Sequence, residues 1–213
     1  MDSTTMASLV FNAVIALFTA IALVRSVSAG GADDQTIAAR AFSNLKYYTV
    51  LSNLFSGFVA VLFMAAYLHG SAELPLWMLL LKLTAAASVL LTFLVVIFLL
   101  SPVRGLKSLY SGPNLWLHCI LPLLCLVDSI LFVPVEKVPL SWMPWVVVPT
   151  ALYAMYYLTN IRRYGAEEDG VVYDIYGFLR WGEKKAGLVA ICLTLSSLLN
   201  GLVIHLLANL VDL

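Results

Sequence analysis

Residues 75–101 read PLWMLLLKLTAAASVLLTFLVVIFLLS, and the only charged side chain among them is Lys82. A run of this length and polarity meets the roughly 20 apolar residues that a helix needs to cross the hydrocarbon core of a bilayer. In lipid the backbone has no water to bond to, so a spanning run must satisfy its own hydrogen bonds as a helix. Five further windows share this character, and the predicted spans are 5–27, 41–68, 75–101, 114–133, 141–160 and 185–209. The expected fold is all-α: a polytopic membrane protein with six transmembrane helices in one domain, 1–213.

Composition points the same way. Of 213 residues, 62% are hydrophobic and 11% charged, whereas soluble domains carry about 25% charged residues. So few charges leave most of the surface apolar, which suits lipid rather than water. The net charge of zero gives no basic footprint for nucleic acid. Cys119, Cys125 and Cys192 fall within predicted helices, and no CxxC or Cys/His spacing points to a metal site. No cofactor is expected. The first window is read as a transmembrane helix. Val27-Ser28-Ala29 resembles a cleavage site, but no Lys or Arg precedes the apolar run and Arg25 sits at its far end, the reverse of a signal peptide.

The basic residues set an orientation. Arg25, Arg40, Arg104, Lys107, Arg162, Arg163, Arg180, Lys184 and Lys185 flank the odd-numbered connections, against Lys137 alone on the even ones. Cytoplasmic loops carry the excess of Lys and Arg, so both termini are expected on the non-cytoplasmic side.

Polar residues inside the spans are costly and face the bundle interior or a cavity. Thr49, Ser52, Asn53 and Ser56 are spaced i, i+3, i+4, i+7, one helical face. Asn114, His118, Cys125 and Asp128 fall within an arc of about 80° on a regular helix. Tyr153, Tyr156, Tyr157 and Asn160 form a stripe on the fifth span, and Ser196, Ser197 and Asn200 one on the sixth. Ser, Thr and Asn often act simply as glue between membrane helices; His and Asp at depth are rarer.

Depth sorts these residues. At 1.5 Å per residue, Thr49 lies roughly 12 Å and His118 roughly 6 Å from the cytoplasmic face, so both belong to the inner leaflet. Asp128 sits about 15 Å beyond His118 along a straight helix, too far to complete a Ser/His/Asp-style triad. It shares a level instead with Lys82, and a buried Lys82–Asp128 ion pair would neutralise two otherwise expensive charges.

Two short elements carry a resemblance. Lys46-Tyr47-Tyr48-Thr49-Val50-Leu51-Ser52-Asn53-Leu54, and Leu117-His118-Cys119-Ile120-Leu121-Pro122 followed by Asp128, resemble the androgen-induced membrane hydrolases. The similarity extends over all six spans, with only these elements distinctive. It implies hydrolysis of fatty acid esters of hydroxy fatty acids, with Thr49 as nucleophile and His118 as catalytic histidine. Bacterial relatives share both elements, which implies a bacterial inner membrane. The Tyr-Pro-Tyr element that relatives often carry after the fifth span is replaced here by Tyr173-Asp174-Ile175-Tyr176.

On this reading His118 takes the hydroxyl proton of Thr49, which attacks a lipid ester carbonyl. Tyr48, Asn53 and Asn114 are candidate donors to the oxyanion. Ser52, Tyr153 and Tyr157 join them as expected substrate-binding residues. The partners are the membrane and a fatty acyl ester, with oligomeric state left open. The alternative is a small-molecule or lipid transporter or binding protein that uses the same polar faces without chemistry. Leu109-Tyr110-Ser111-Gly112 lacks the first glycine of a rhomboid-type GxSG element, and the last span has no lysine for retinal.

Overall fold

A computed structural model of the chain describes residues 2–28, 43–70 and 73–211. The Gly/Asp-rich first loop with Arg40, and the start expected for the second span at 41, lie outside the described residues. The chain is mostly helical, at 83%. In chain order the helices are α1 (Ser3–Ser28), α2 (Tyr48–Leu68), α3 (Leu76–Arg104), α4 (Trp116–Leu131), α5 (Val148–Tyr164) and α6 (Glu183–Val211). Among the described residues, α1, α2, α3 and α6 are long and apolar enough to cross a membrane, and α4 is a shorter apolar helix. Between α5 and α6 lies a two-residue antiparallel pair, β1 (Glu167–Glu168) and β2 (Val171–Val172). Its turn places Asp169 and Gly170 at φ 49° and 75°, the positive angles that an Asp-Gly hairpin turn requires.

Three prolines shape the helices. Pro122 has no N–H and its ring crowds the carbonyl four residues back. The turn before it, Trp116–Ile120, widens into a π-helix, with the Leu121 N–H bonding to the Trp116 carbonyl. Pro102 is preceded by the same device: Val96–Leu100 is π-helical and the Ser101 N–H bonds to the Val96 carbonyl. Each widened turn frees one carbonyl. That of Ile97 accepts the Ser101 hydroxyl at 2.7 Å, and that of Leu117 accepts the Asn53 amide nitrogen at 3.1 Å. Pro149 opens α5 after the tighter 3₁₀ segment Leu140–Val147.

The main core gathers Phe63, Leu79, Leu83, Val146 and Ile204, each 1% exposed or less. Outward faces are apolar too: Leu188, Ile191, Leu195 and Leu199 form an exposed stripe on α6, as expected where the solvent is lipid. Close approach of α1 and α2 depends on Gly57, where an added Cβ would lie 2.9 Å from Thr19 Cγ2.

The charged residues in this core are paired. Lys82 and Asp128, 4% and 0% exposed, form an ion pair between α3 and α4. α1 completes it with two residues that the sequence did not single out. Ser8 donates its hydroxyl to the Asp128 carboxylate at 3.0 Å, and Asn12 donates its amide at 3.0 Å. The Asn12 carbonyl oxygen accepts the Lys82 ammonium at 2.7 Å. Every polar atom of this network has a partner, which offsets the cost of taking two charges out of water.

Asp128→Ala is therefore expected to destabilise the protein by about 3–5 kcal/mol, because it strands a buried ammonium. Lys82→Met with Asp128→Leu should recover most of that loss, as read by thermal unfolding in detergent; a double variant no more stable than Asp128→Ala would contradict a purely structural pair.

Candidate functional site

Thr49 and His118 both stand near the first turns of their helices. α2 and α4 run parallel, as successive contacts show: Asn53 meets Leu117, and further along Ser56 meets Cys125 at 2.8 Å. Asn53 is the tie between the two levels. Its amide nitrogen donates to the Thr49 carbonyl at 2.8 Å and to the Leu117 carbonyl at 3.1 Å, so residues 49 and 117 share one donor. The second bond exists because the π turn ahead of Pro122 left the Leu117 carbonyl free.

The two side chains engage different partners. Nδ1 of His118 lies 2.7 Å from the Leu109 carbonyl oxygen, and Tyr110 stands edge-on to the ring. A carbonyl can only accept, so Nδ1 carries the proton and the neutral ring keeps its lone pair on Nε2. Thr49 instead lines a narrow cleft of about 50 Å³ with Tyr48, Thr92, Leu100, Thr150, Tyr153, Tyr157, Tyr176 and Phe178. His118 is not among the residues of that cleft, and no hydrogen bond joins it to Thr49 among the described residues.

The segment between β2 and α6 closes over the cleft. The Asp174 carboxylate accepts the Tyr157 hydroxyl and the amides of Phe178 (2.7 Å) and Leu179 (2.9 Å), which starts the 3₁₀ turn Phe178–Trp181. Arg104 at the end of α3 donates to the Ile175 carbonyl at 2.6 Å. Held from both sides, Tyr176 brings its phenol oxygen within 2.9 Å of the Tyr48 amide, one of the unsatisfied donors at the start of α2. Burial pushes the Tyr176 phenol up to about 12, and its hydrogen-bonding neighbours Tyr153, Tyr48 and Thr49 only partly offset this. The phenol therefore stays protonated, and able to donate, throughout the neutral range.

The remaining expected site residues divide. Tyr48 bonds through its hydroxyl to Thr150 Oγ1 at 2.7 Å, and Ser52 to Thr92 Oγ1 at 3.0 Å. Tyr153 donates to the Lys46 carbonyl at 2.7 Å, and Tyr157 is committed to Asp174. Tyr48, Tyr153 and Tyr157 line the cleft; Ser52 and Asn53 lie behind it as buried cross-helix links. Asn114 is exposed and off the cleft. Its expected place assumed 100° per residue from 114 to 128, and the π turn between breaks that phase. Of the three expected oxyanion donors, Tyr48 and Asn53 are committed elsewhere and Asn114 faces away. Tyr176, which the sequence placed only in the stretch that stands where relatives carry Tyr-Pro-Tyr, shares the cleft with Thr49.

Comparison with known protein families, with curated proteins and with solved structures finds no match.

Asp174→Ala leaves two part-buried amides and a phenol without their acceptor, a loss of about 1–3 kcal/mol for the segment. Hydrogen exchange is expected to rise across residues 173–182 with α1–α4 unchanged. Unaltered protection there would show that other contacts hold the closure.

Proposed function

We propose that this chain is an intramembrane lipid ester hydrolase with Thr49 as nucleophile and His118 as base. The observation that carries the reading is the setting of Thr49: a hydroxyl at an apolar, aromatic-walled cleft, with the Tyr176 phenol beside it. A threonine hydroxyl needs an adjacent base to attack an ester. His118 Nε2 would accept the Thr49 proton as Oγ1 attacks the ester carbonyl, and Tyr176 would donate to the oxyanion. The alcohol leaves with the proton from His118, giving an acyl-threonine. Water, deprotonated by His118, then releases the fatty acid and restores the hydroxyl. The reaction requires the imidazole to reach Thr49 directly or through one water. The Asn53 tie between residues 49 and 117 keeps the two levels together. The resemblance favours fatty acid esters of hydroxy fatty acids as the substrate class.

The same reading takes the chain across the inner membrane six times, with both termini on the non-cytoplasmic side. Support comes from residues 113–131, about 28 Å as a helix, and from 140–164, about 40 Å with its stretched 3₁₀ start. The Arg104–Ile175 bond supports it too, by joining the third and fifth connections, which also carry most of the basic residues.

A second reading, a lipid-binding or transport protein without chemistry, is favoured by one observation. His118 turns to Leu109 rather than to the cleft. A fluorophosphonate probe separates the two. Labelling is expected in the wild type and in Thr49→Ser, absent in Thr49→Ala, and reduced on the order of 100-fold or more in His118→Ala. Equal labelling of Thr49→Ala removes the nucleophile, and an unlabelled wild type that binds lipid supports the second reading.

A further inference from the structure

The Thr49 cleft has a neighbour on the outer face of the bundle. Between the start of α2 and α5 runs a groove of about 640 Å³, lined by Leu45, Lys46, Leu51, Pro149, Leu152 and Tyr156 among others. Leu51, Leu152 and Tyr156 are 36%, 61% and 51% exposed, so the groove opens on the apolar surface that lipid would wet. Behind it a smaller cavity of about 60 Å³ reaches Ser52 and Ser88. Tyr153 is the wall common to the groove, this cavity and the Thr49 cleft. Its hydroxyl donates to the Lys46 carbonyl at 2.7 Å, and its ring packs 5.1 Å from that of Tyr48.

Lys46 stands at the rim. Among the described residues no carboxylate lies within ion-pair range of its ammonium, which rests 5.5 Å over the Tyr47 ring. A cation on a flexible stem beside an apolar groove, with no carboxylate partner among the described residues, matches one negative charge joined to an apolar tail. Lys46 is the one cation among the described residues that line the groove, which points to a monoanionic head, and the narrowness of the inner cleft, about 50 Å³, points to one chain rather than two.

We propose that this groove is a lateral binding site for a single-chain amphiphile with a carboxylate head, drawn from the surrounding leaflet. Lys46 holds the head and the chain lies against Tyr153. Delivery of that chain to Thr49 rests on the proposed hydrolase reading; the binding itself does not.

Spin-labelled stearate and its methyl ester, incorporated separately into phosphatidylcholine nanodiscs at pH 8, test the site through the motionally restricted fraction per protein. The carboxylate is expected to be restricted at least 3-fold more than the ester, equally in wild type and in Thr49→Ala. Lys46→Gln should abolish that preference and Lys46→Arg keep it. Tyr153→Ala should weaken restriction of both probes alike while leaving the preference. Equal restriction of the two probes in the wild type, a preference surviving in Lys46→Gln, or a Tyr153→Ala variant that binds unchanged would overturn the proposal. A site confirmed in this way, with no fluorophosphonate labelling of the wild type, would leave the groove standing and remove the hydrolase.

Discussion

Inside this bundle a buried charge depends on partners within the chain, because an unpaired polar group in an apolar interior costs several kcal/mol. The Lys82–Asp128 pair is the strictest case. Three helices contribute to it, since Ser8 and Asn12 of α1 supply what the two charges cannot give each other. α1 is thereby fixed against α3 and α4 at one end of the bundle. The same demand recurs lower down, where Ser56 meets Cys125 and Ser52 meets Thr92. Hydrophobic packing brings the helices together, and these pairings choose their register.

Proline carries that demand toward the site. Pro122 forces a π turn, the turn frees the Leu117 carbonyl, and Asn53 of the neighbouring helix fills the vacancy while also holding the Thr49 carbonyl. One backbone irregularity in α4 thus sets the relation between the helix of the hydroxyl and the helix of the imidazole. π turns are frequent at functional sites because they offer backbone groups that a regular helix would consume. At the other wall, Asp174 organises a loop with little regular structure and delivers Tyr176 to the start of α2.

Much of this was legible in the sequence, for definite reasons. Hydropathy separated the helices, and depth along regular helices put Lys82 and Asp128 at one level, where they meet. The face through Ser52, Asn53 and Ser56 is buried as its spacing implied. What escaped were effects of local geometry and of distant chain. Ser8 and Asn12 looked unremarkable because a serine and an asparagine barely lower the hydropathy of a long apolar run. Asn114 was misplaced because angular arithmetic assumes one helix type, and α4 contains two. Tyr176 carried an aromatic signal, but its approach to Thr49 depends on Asp174, Tyr157 and Arg104, three residues no spacing rule connects.

On the proposed hydrolase reading, the cleft beside Thr49 takes the acyl chain of a lipid. Photo-crosslinking with a diazirine-bearing long-chain ester, followed by peptide mapping, tests it most directly. Adducts are expected to concentrate in residues 149–157 and 173–178, on the cleft walls. Adducts confined to the outward stripe of Leu188, Ile191 and Leu195, with none on those two segments, would contradict it.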